Sequence, residues 1–377
     1  MQYYVCVPSY AIMKNAIKFG IAAAIAIAVI ASSISTPTSP ILGTDLFGGG
    51  SDRSATSIQT NEQDTLRIGY FPNINHAQAV IGLGRGDFQR ALGDNVEVTT
   101  QIFNAGPSAM EALLANQIDV TYIGPNPAIN GYVQSNGEAL RIISGAASGG
   151  TVFVVRNDSG INSPQDLANK KFSSPQLGNT QDVALRKYLL DNGYKTRENG
   201  GNIEIIPAKA ADIVSLMIKK DIDGAWLPEP WGAKLIKEAN SKVLVDERDL
   251  WPNGQFVTAH IIARTDYIEK NPDIIKKLLE AHIDITTWIN DNRDEALQIF
   301  NTELNKLTGQ TIPEDELREG ISRMELTYDP IKESLLKAAN DAFDIGFLGK
   351  TRPDLSEIYD VKILNEVLKG RGLQEIT

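Results

Sequence analysis

Between residues 66 and 263, short apolar runs alternate with stretches whose apolar positions recur every three or four residues. The first pattern predicts strands and the second amphipathic helices. Strands are expected over 66–71, 96–103, 118–123, 140–146, 151–156, 170–174, 203–207, 222–227, 243–245 and 256–263. Helices are expected from about His76, near Pro107, from Ser163-Pro164, and over 180–192, 211–219 and 230–239. Ser163 suits a helix cap with Pro164 in the first turn, and Gly193 suits a helix stop. After Thr265 the pattern is helical almost to the end. This alternation predicts an α/β fold with two mostly parallel sheets, helices on both faces and further helices at the C-terminus. The strands at 151–156 and 256–263 are expected to cross between the sheets. That gives one lobe from 66–150 plus 257–377 and a second from 151–256. Ligands of open α/β sheets bind at the carboxyl ends of strands, so the cleft between lobes is the expected site.

Ahead of this pattern, Lys14 and Lys18 precede an apolar run at 19–31, and Ser32 and Ser33 follow it. A basic start, a short apolar segment and small residues make up an export signal. Residues 1–33 are expected to be a signal peptide or membrane anchor, with Met13 as an alternative start to Met1. Residues 34–65 read as a flexible tether. The folded part is then extracytoplasmic, at the cell surface or in a periplasm, and held to the membrane if the segment is uncleaved.

The length of 377 residues suits two domains. The net charge of -11 opposes nucleic-acid binding and polybasic membrane contact, both of which need basic surface. The single cysteine, Cys6, leaves no disulfide, Cys-based zinc site or Cys/His pair for the main body. His76, His260 and His282 lack the spacing of a helical metal site, and no Gly-rich loop is followed by GK[ST]. No metal or cofactor is expected.

Five loops between predicted strands and helices carry small or polar residues. They supply the candidate contacts Asn75 and His76; Gly106, Pro107 and Ser108; Gly124, Pro125 and Asn126; Asn179, Thr180 and Gln181; and Glu229 in the fifth loop, with Trp226 at the end of the strand before it. A helix N-terminus has unpaired N–H groups and partial positive charge. Several such ends meeting between two lobes can hold an oxyanion without Arg or Lys. Any single loop of this kind ordinarily only caps its helix; it is the set of five that points to a ligand. Trp226 would cover an apolar part of the ligand. Glu229 would accept hydrogen bonds or pair with an ammonium group, against the simpler reading that it favours its own helix N-terminus. His260 and His282 read as structural.

These residues resemble those of the periplasmic binding proteins of nitrate, sulfonate, taurine and bicarbonate transporters. The resemblance rests on Ile68-Gly69-Tyr70-Phe71-Pro72 with Asn75-His76, Ala105-Gly106-Pro107 followed by Glu111-Ala112-Leu113, and Gly124-Pro125-Asn126-Pro127-Ala128. Asp166-Leu167-Ala168-Asn169 and Ala225-Trp226-Leu227-Pro228-Glu229-Pro230-Trp231 extend it over most of the folded chain. It implies a two-lobed type II binding-protein fold that closes by a hinge on a small anionic solute. It also implies delivery to an ABC permease with a separate ATPase subunit, by a monomer. An alkanesulfonate or taurine is the favoured solute, and nitrate or bicarbonate the alternative. A thiamine-pyrimidine-related binding protein or enzyme shares the fold, but the Cys-rich motif of such synthases has no counterpart here, so no enzyme is expected.

Overall fold

The computed structural model describes residues 63–377. The signal or anchor reading of 1–33 and the tether up to residue 62 lie outside the described residues, and the first strand begins at Asp64. The strands are β1 (Asp64–Tyr70), β2 (Val96–Ile102), β3 (Val120–Ile123), β4 (Leu140–Gly149), β5 (Thr151–Arg156), β6 (Lys171–Ser173), β7 (Glu204–Ile205), β8 (Gly224–Pro228), β9 (Ser241–Asp246), β10 (Val257–Arg264) and β11 (Met324–Leu326). The α-helices are α1 (Ala77–Gly84), α2 (Asp87–Leu92), α3 (Gly106–Leu114), α4 (Pro125–Gln134), α5 (Thr180–Asp191), α6 (Ala210–Ile218) and α7 (Trp231–Glu238). They continue as α8 (Thr265–Lys270), α9 (Pro272–Asp291), α10 (Arg293–Thr308), α11 (Glu314–Ser322), α12 (Lys332–Asp344) and α13 (Lys362–Gly370).

The strands form two sheets, in the orders β11-β4-β10-β3-β1-β2 and β7-β6-β8-β5-β9. Each sheet with its covering helices is a lobe, referred to below as the first and the second. Pairing is parallel from β1 to β2 and β3, and from β6 to β7 and β8. The expectation of mostly parallel sheets needs amending elsewhere, because β10, β11 and β5 pair antiparallel with their neighbours. The reason is connectivity. β5 and β10 enter their sheets directly from the other lobe, without the crossover helix that would return the chain to the starting end. Only Gly150 separates β4 from β5, and Gly149 and Gly150 both sit at positive φ (74° and 72°), where residues with a Cβ are strained.

Two other local readings changed. The helix expected at Ser163 is a three-residue 3-10 turn, Pro164–Asp166, closed by a Ser163–Asp166 capping box. Within the C-terminal region read as helical, β11 adds to the edge of β4. The first lobe buries Leu66, Ile68 and Tyr70 of β1 with one face of α9, including Ile275, Leu278 and Leu279. His282 on α9 is fully buried, bonded to the Gly145 carbonyl (2.9 Å) and the Tyr122 hydroxyl (3.0 Å). His260 is also fully buried, with its Nε2 on the Pro330 carbonyl at 3.1 Å. No helix among the described residues is long and apolar enough to cross a membrane.

Candidate functional site: a cavity between the lobes

The start of α3, the start of α4 and the 3-10 turn Ile74–His76 converge from the first lobe on the starts of α5 and α6 from the second. They enclose a cavity of about 20 Å³. That is room for about one water molecule, so the lobes meet closely around it. Gly124, the cap of α4, touches Thr180, the first residue of α5: a Cβ on Gly124 would lie 2.2 Å from the Thr180 hydroxyl. Glycine is the residue that permits this approach. Two further bonds join the lobes nearby. The Trp231 indole donates to Asn73 Oδ1 at 2.9 Å, and the Ile74 amide donates to the Glu229 carbonyl at 3.1 Å.

Among the described residues, no Lys, Arg, Asp or Glu lines the cavity. Its electrostatics therefore come from dipoles. Helices α3 and α4 have no side-chain cap, and because Pro107, Pro125 and Pro127 carry no N–H, the first-turn amides without an intrahelical partner are those of Gly106 and Ser108 in α3 and of Asn126 in α4. Helix α5 is capped by Asn179 Oδ1, which accepts from the Asp182 amide at 2.8 Å. Three buried polar atoms on the lining have no hydrogen-bond partner among the described residues: Asn75 Oδ1, His76 Nδ1 and Thr180 Oγ1. Unpaired buried polar atoms cost about 1–3 kcal/mol each, so three in one cavity point to something that would satisfy them. Burial pushes the His76 imidazole down to about 3, so at neutral pH it is uncharged and offers one N–H. Its ring leans on Phe71, centroids 4.4 Å apart.

Of the residues expected at the site, Asn75, His76, Gly106, Gly124, Asn179, Thr180 and Gln181 line this cavity. The others lie off it. Pro107 fills the second position of α3. Ser108 bridges the lobes instead, bonded to the Gln176 side chain at 3.3 Å. Asn126 donates to the Ala338 carbonyl at 3.1 Å, and with Pro125 it lines a second cavity. Trp226 is fully buried in the second lobe, stacked on Phe153 at 5.1 Å, with its indole on Glu247 at 2.7 Å. Glu229 is fully buried and accepts from the Ala233 amide (2.8 Å) and Arg323 (2.5 Å). Its carboxyl is pushed above the usual range by burial, with Arg323 opposing the shift.

Sequence reasoning passed over Asn73, Asn104, Pro175, Ala210 and Thr258, which also line the cavity. Asn73 and Asn104 stand in loops already singled out, and Ala210 opens a helix after a strand, the same signal as the others. Thr258 carried none. It lies within β10 and its hydroxyl donates to the Gly149 carbonyl at 2.8 Å.

The fold and this inter-lobe site define a two-lobed, periplasmic-binding-protein-like molecule. The chain belongs to the NMT1-like family, whose profile matches residues 59–301. A Brucella abortus protein named only as a binding protein is 25% identical over 298 residues, covering 76% of this chain and 87% of its own. The taurine-binding periplasmic protein of Escherichia coli is 25% identical over 182 residues, covering 48% of this chain and 54% of its own. Among solved structures, the alkanesulfonate-binding protein of Xanthomonas axonopodis bound to MOPS superposes with a TM-score of 0.63 at 18% identity, covering 76% of this chain and 94% of its own. The periplasmic nitrate-binding protein of Synechocystis superposes with a TM-score of 0.65 at 16% identity, covering 82% and 89%. At these identities the structures establish the fold alone.

Proposed function

We propose that this protein is the extracytoplasmic solute-binding component of an ABC uptake transporter, that it is not an enzyme, and that it traps a small oxyanion between its lobes. The observation that carries the reading is an uncharged cavity at the starts of helices from both lobes, in which two unpartnered buried atoms, His76 Nδ1 and Thr180 Oγ1, can donate a hydrogen bond. Such an environment favours an anion over a cation or a neutral apolar ligand. A micromolar ligand requires about -8 kcal/mol in total, within reach of several helix ends and a few hydrogen bonds. The crossovers at Gly149–Gly150 and between β9 and β10 are the hinge of this reading, and the lobes part to admit the solute.

The names of the relatives favour an alkanesulfonate or taurine. Among the described residues, no carboxylate lines the cavity to meet an ammonium group, which favours a plain alkanesulfonate over taurine within it. The tightness of the cavity favours a second reading, a compact oxyanion such as nitrate or bicarbonate, since less widening is needed.

Calorimetry with ethanesulfonate, taurine, nitrate and bicarbonate, on wild type and Thr180→Val, tests both. Valine keeps the shape of Thr180 but loses the orphaned hydroxyl. The solute that binds should bind about tenfold more weakly to the variant, the loss of one hydrogen bond. The ligand-free variant should be at least as stable as wild type, because an unpaired buried hydroxyl has been removed. Equal affinity in the two proteins counts against Thr180, and no heat with any of the four solutes counts against the function.

A further inference from the structure

A second cavity, of about 410 Å³, lies on the far side of the Gly124–Thr180 contact. Its walls come from both lobes: α4 and α12 from the first, α5 from the second, and the segment between β9 and β10. Glu247 lines it, 2% exposed. The carboxylate accepts from the Trp226 indole at 2.7 Å and, more weakly, from the Trp251 indole at 3.4 Å. Among the described residues it has no ion pair. The two lysines at the cavity, Lys187 and Lys337, each bond an aspartate one turn along their own helix, Asp191 and Asp341. A buried carboxylate with free lone pairs and no directly bonded cation is costly, and it is relieved by a proton or by a cation that enters.

The walls suit the second. Trp251 and Phe256 stack with centroids 5.0 Å apart and nearly parallel rings. The Lys337 ammonium sits 4.2 Å from the centre of the Trp251 ring, so a cation is tolerated against this aromatic surface. We propose that the cavity is a binding site for a primary organic ammonium ion, its N–H groups on the Glu247 carboxylate and its carbon chain along Trp251 and Phe256. Because the walls belong to both lobes, an occupant stabilises their contact. The site does not depend on the reading of the first cavity, but the ammonium has two sources: a separate amine, or the amino end of a zwitterionic aminosulfonate whose anionic end lies past Thr180.

Burial pushes the Glu247 carboxyl up to about 7, with the two indoles and Lys337 opposing and Asp341 adding to the shift. Lys187 and Asp191 face the same cavity from α5. An alkylammonium stays charged through this range, so its binding strengthens as Glu247 ionises. It should be about fivefold or more tighter at pH 8 than at pH 6.

The test is calorimetry on the full chain with n-butylammonium chloride, sodium butyrate, taurine and ethanesulfonate. Wild type should bind butylammonium at pH 8 and not butyrate, and Glu247→Gln should weaken it at least about tenfold, the loss of a charge-assisted bond. Glutamine keeps an oxygen for the Trp226 indole. Should that variant misfold, Ala184→Met fills the cavity from α5 without touching Glu247, and it too should lose butylammonium. If taurine, but not ethanesulfonate, loses affinity in Glu247→Gln, the ammonium comes from a zwitterion and the site stands. The proposal is overturned if wild type gives no heat with butylammonium and the variant treats taurine and ethanesulfonate alike. Butyrate binding in place of butylammonium also overturns it, because Glu247 would then serve as a protonated donor.

Discussion

At the scale of single residues, the cavity is set by what its side chains lack. His76 is 1% exposed and its Nδ1 has no partner, yet it cannot meet an anion as a cation, because burial holds it at about 3. A bound anion raises a nearby imidazole by about 1–3 units, which leaves His76 neutral above about pH 6. It follows that affinity for ethanesulfonate, which does not itself titrate, should change less than about twofold between pH 6.5 and pH 8. Calorimetry across that range checks it. Binding that tightens about tenfold on acidification would mean that a charged imidazole holds the ligand. Trp226 shows why side-chain roles were harder to read than positions. Every residue of β8 is buried, so both of its faces are covered and no alternation marks which one meets the cleft. Glu247 carried the opposite disguise: in Asp246-Glu247-Arg248-Asp249 it reads as part of a solvated charge run, and only the packing of Trp226 and Trp251 makes it internal.

At the scale of elements, the βα units were legible because five predicted strands end in loops where Gly, Pro or Asn residues precede a helix. The helix at Ser163 was over-read. Its cap signals are genuine, but no apolar period continues beyond Leu167, so one turn forms and stops. β11 had no signal of its own: three residues become a strand only because the edge of β4 is there to pair with them. The site is likewise a property of paired elements, the start of α4 set against the start of α5. Gly124→Ala tests that pairing. The added methyl would sit 2.2 Å from Thr180 Oγ1 and 3.4 Å from the Thr258 carbonyl, so the two helix starts must separate. Overpacking of this kind costs about 1–3 kcal/mol. Since the strain is relieved by parting the lobes, it should appear as ligand affinity weakened about tenfold or more, with little change in the unfolding midpoint of the free protein. Wild-type affinity in this variant would show that the ligand-bound state does not need the close approach.

At the scale of the whole molecule, the lobes are joined by a hydrogen-bonded knot beside the β4–β5 crossover. The Glu229 amide donates to the Gly150 carbonyl, the Gly150 amide donates to the Arg323 carbonyl, and the Arg323 guanidinium reaches the Glu229 carboxylate at 2.5 Å. Arg323 also bonds Glu319 at 2.5 Å, so a single side chain from the first lobe holds a carboxylate that the second lobe buries completely. Removing Arg323 leaves Glu229 buried and uncompensated, which typically costs about 3–5 kcal/mol. Arg323→Ala should therefore lower stability by about that much in chemical denaturation at pH 8. The dependence on pH follows from the sign of the remaining shift. Burial raises the Glu229 carboxyl, and without Arg323 the main opposing influence is gone. The folded state then binds a proton more tightly than the unfolded chain, so stability is greatest below the unfolded value near 4.5 and falls as pH rises through the folded one. The deficit of Arg323→Ala should thus be smaller at pH 5 than at pH 8. Adding Glu229→Gln to Arg323→Ala should recover most of it at pH 8, since the amide carries no charge to strand. A deficit that is equal at both pH values and unrelieved in the double variant would mean that Arg323 acts by packing, and that the charge pair does not hold the lobes together.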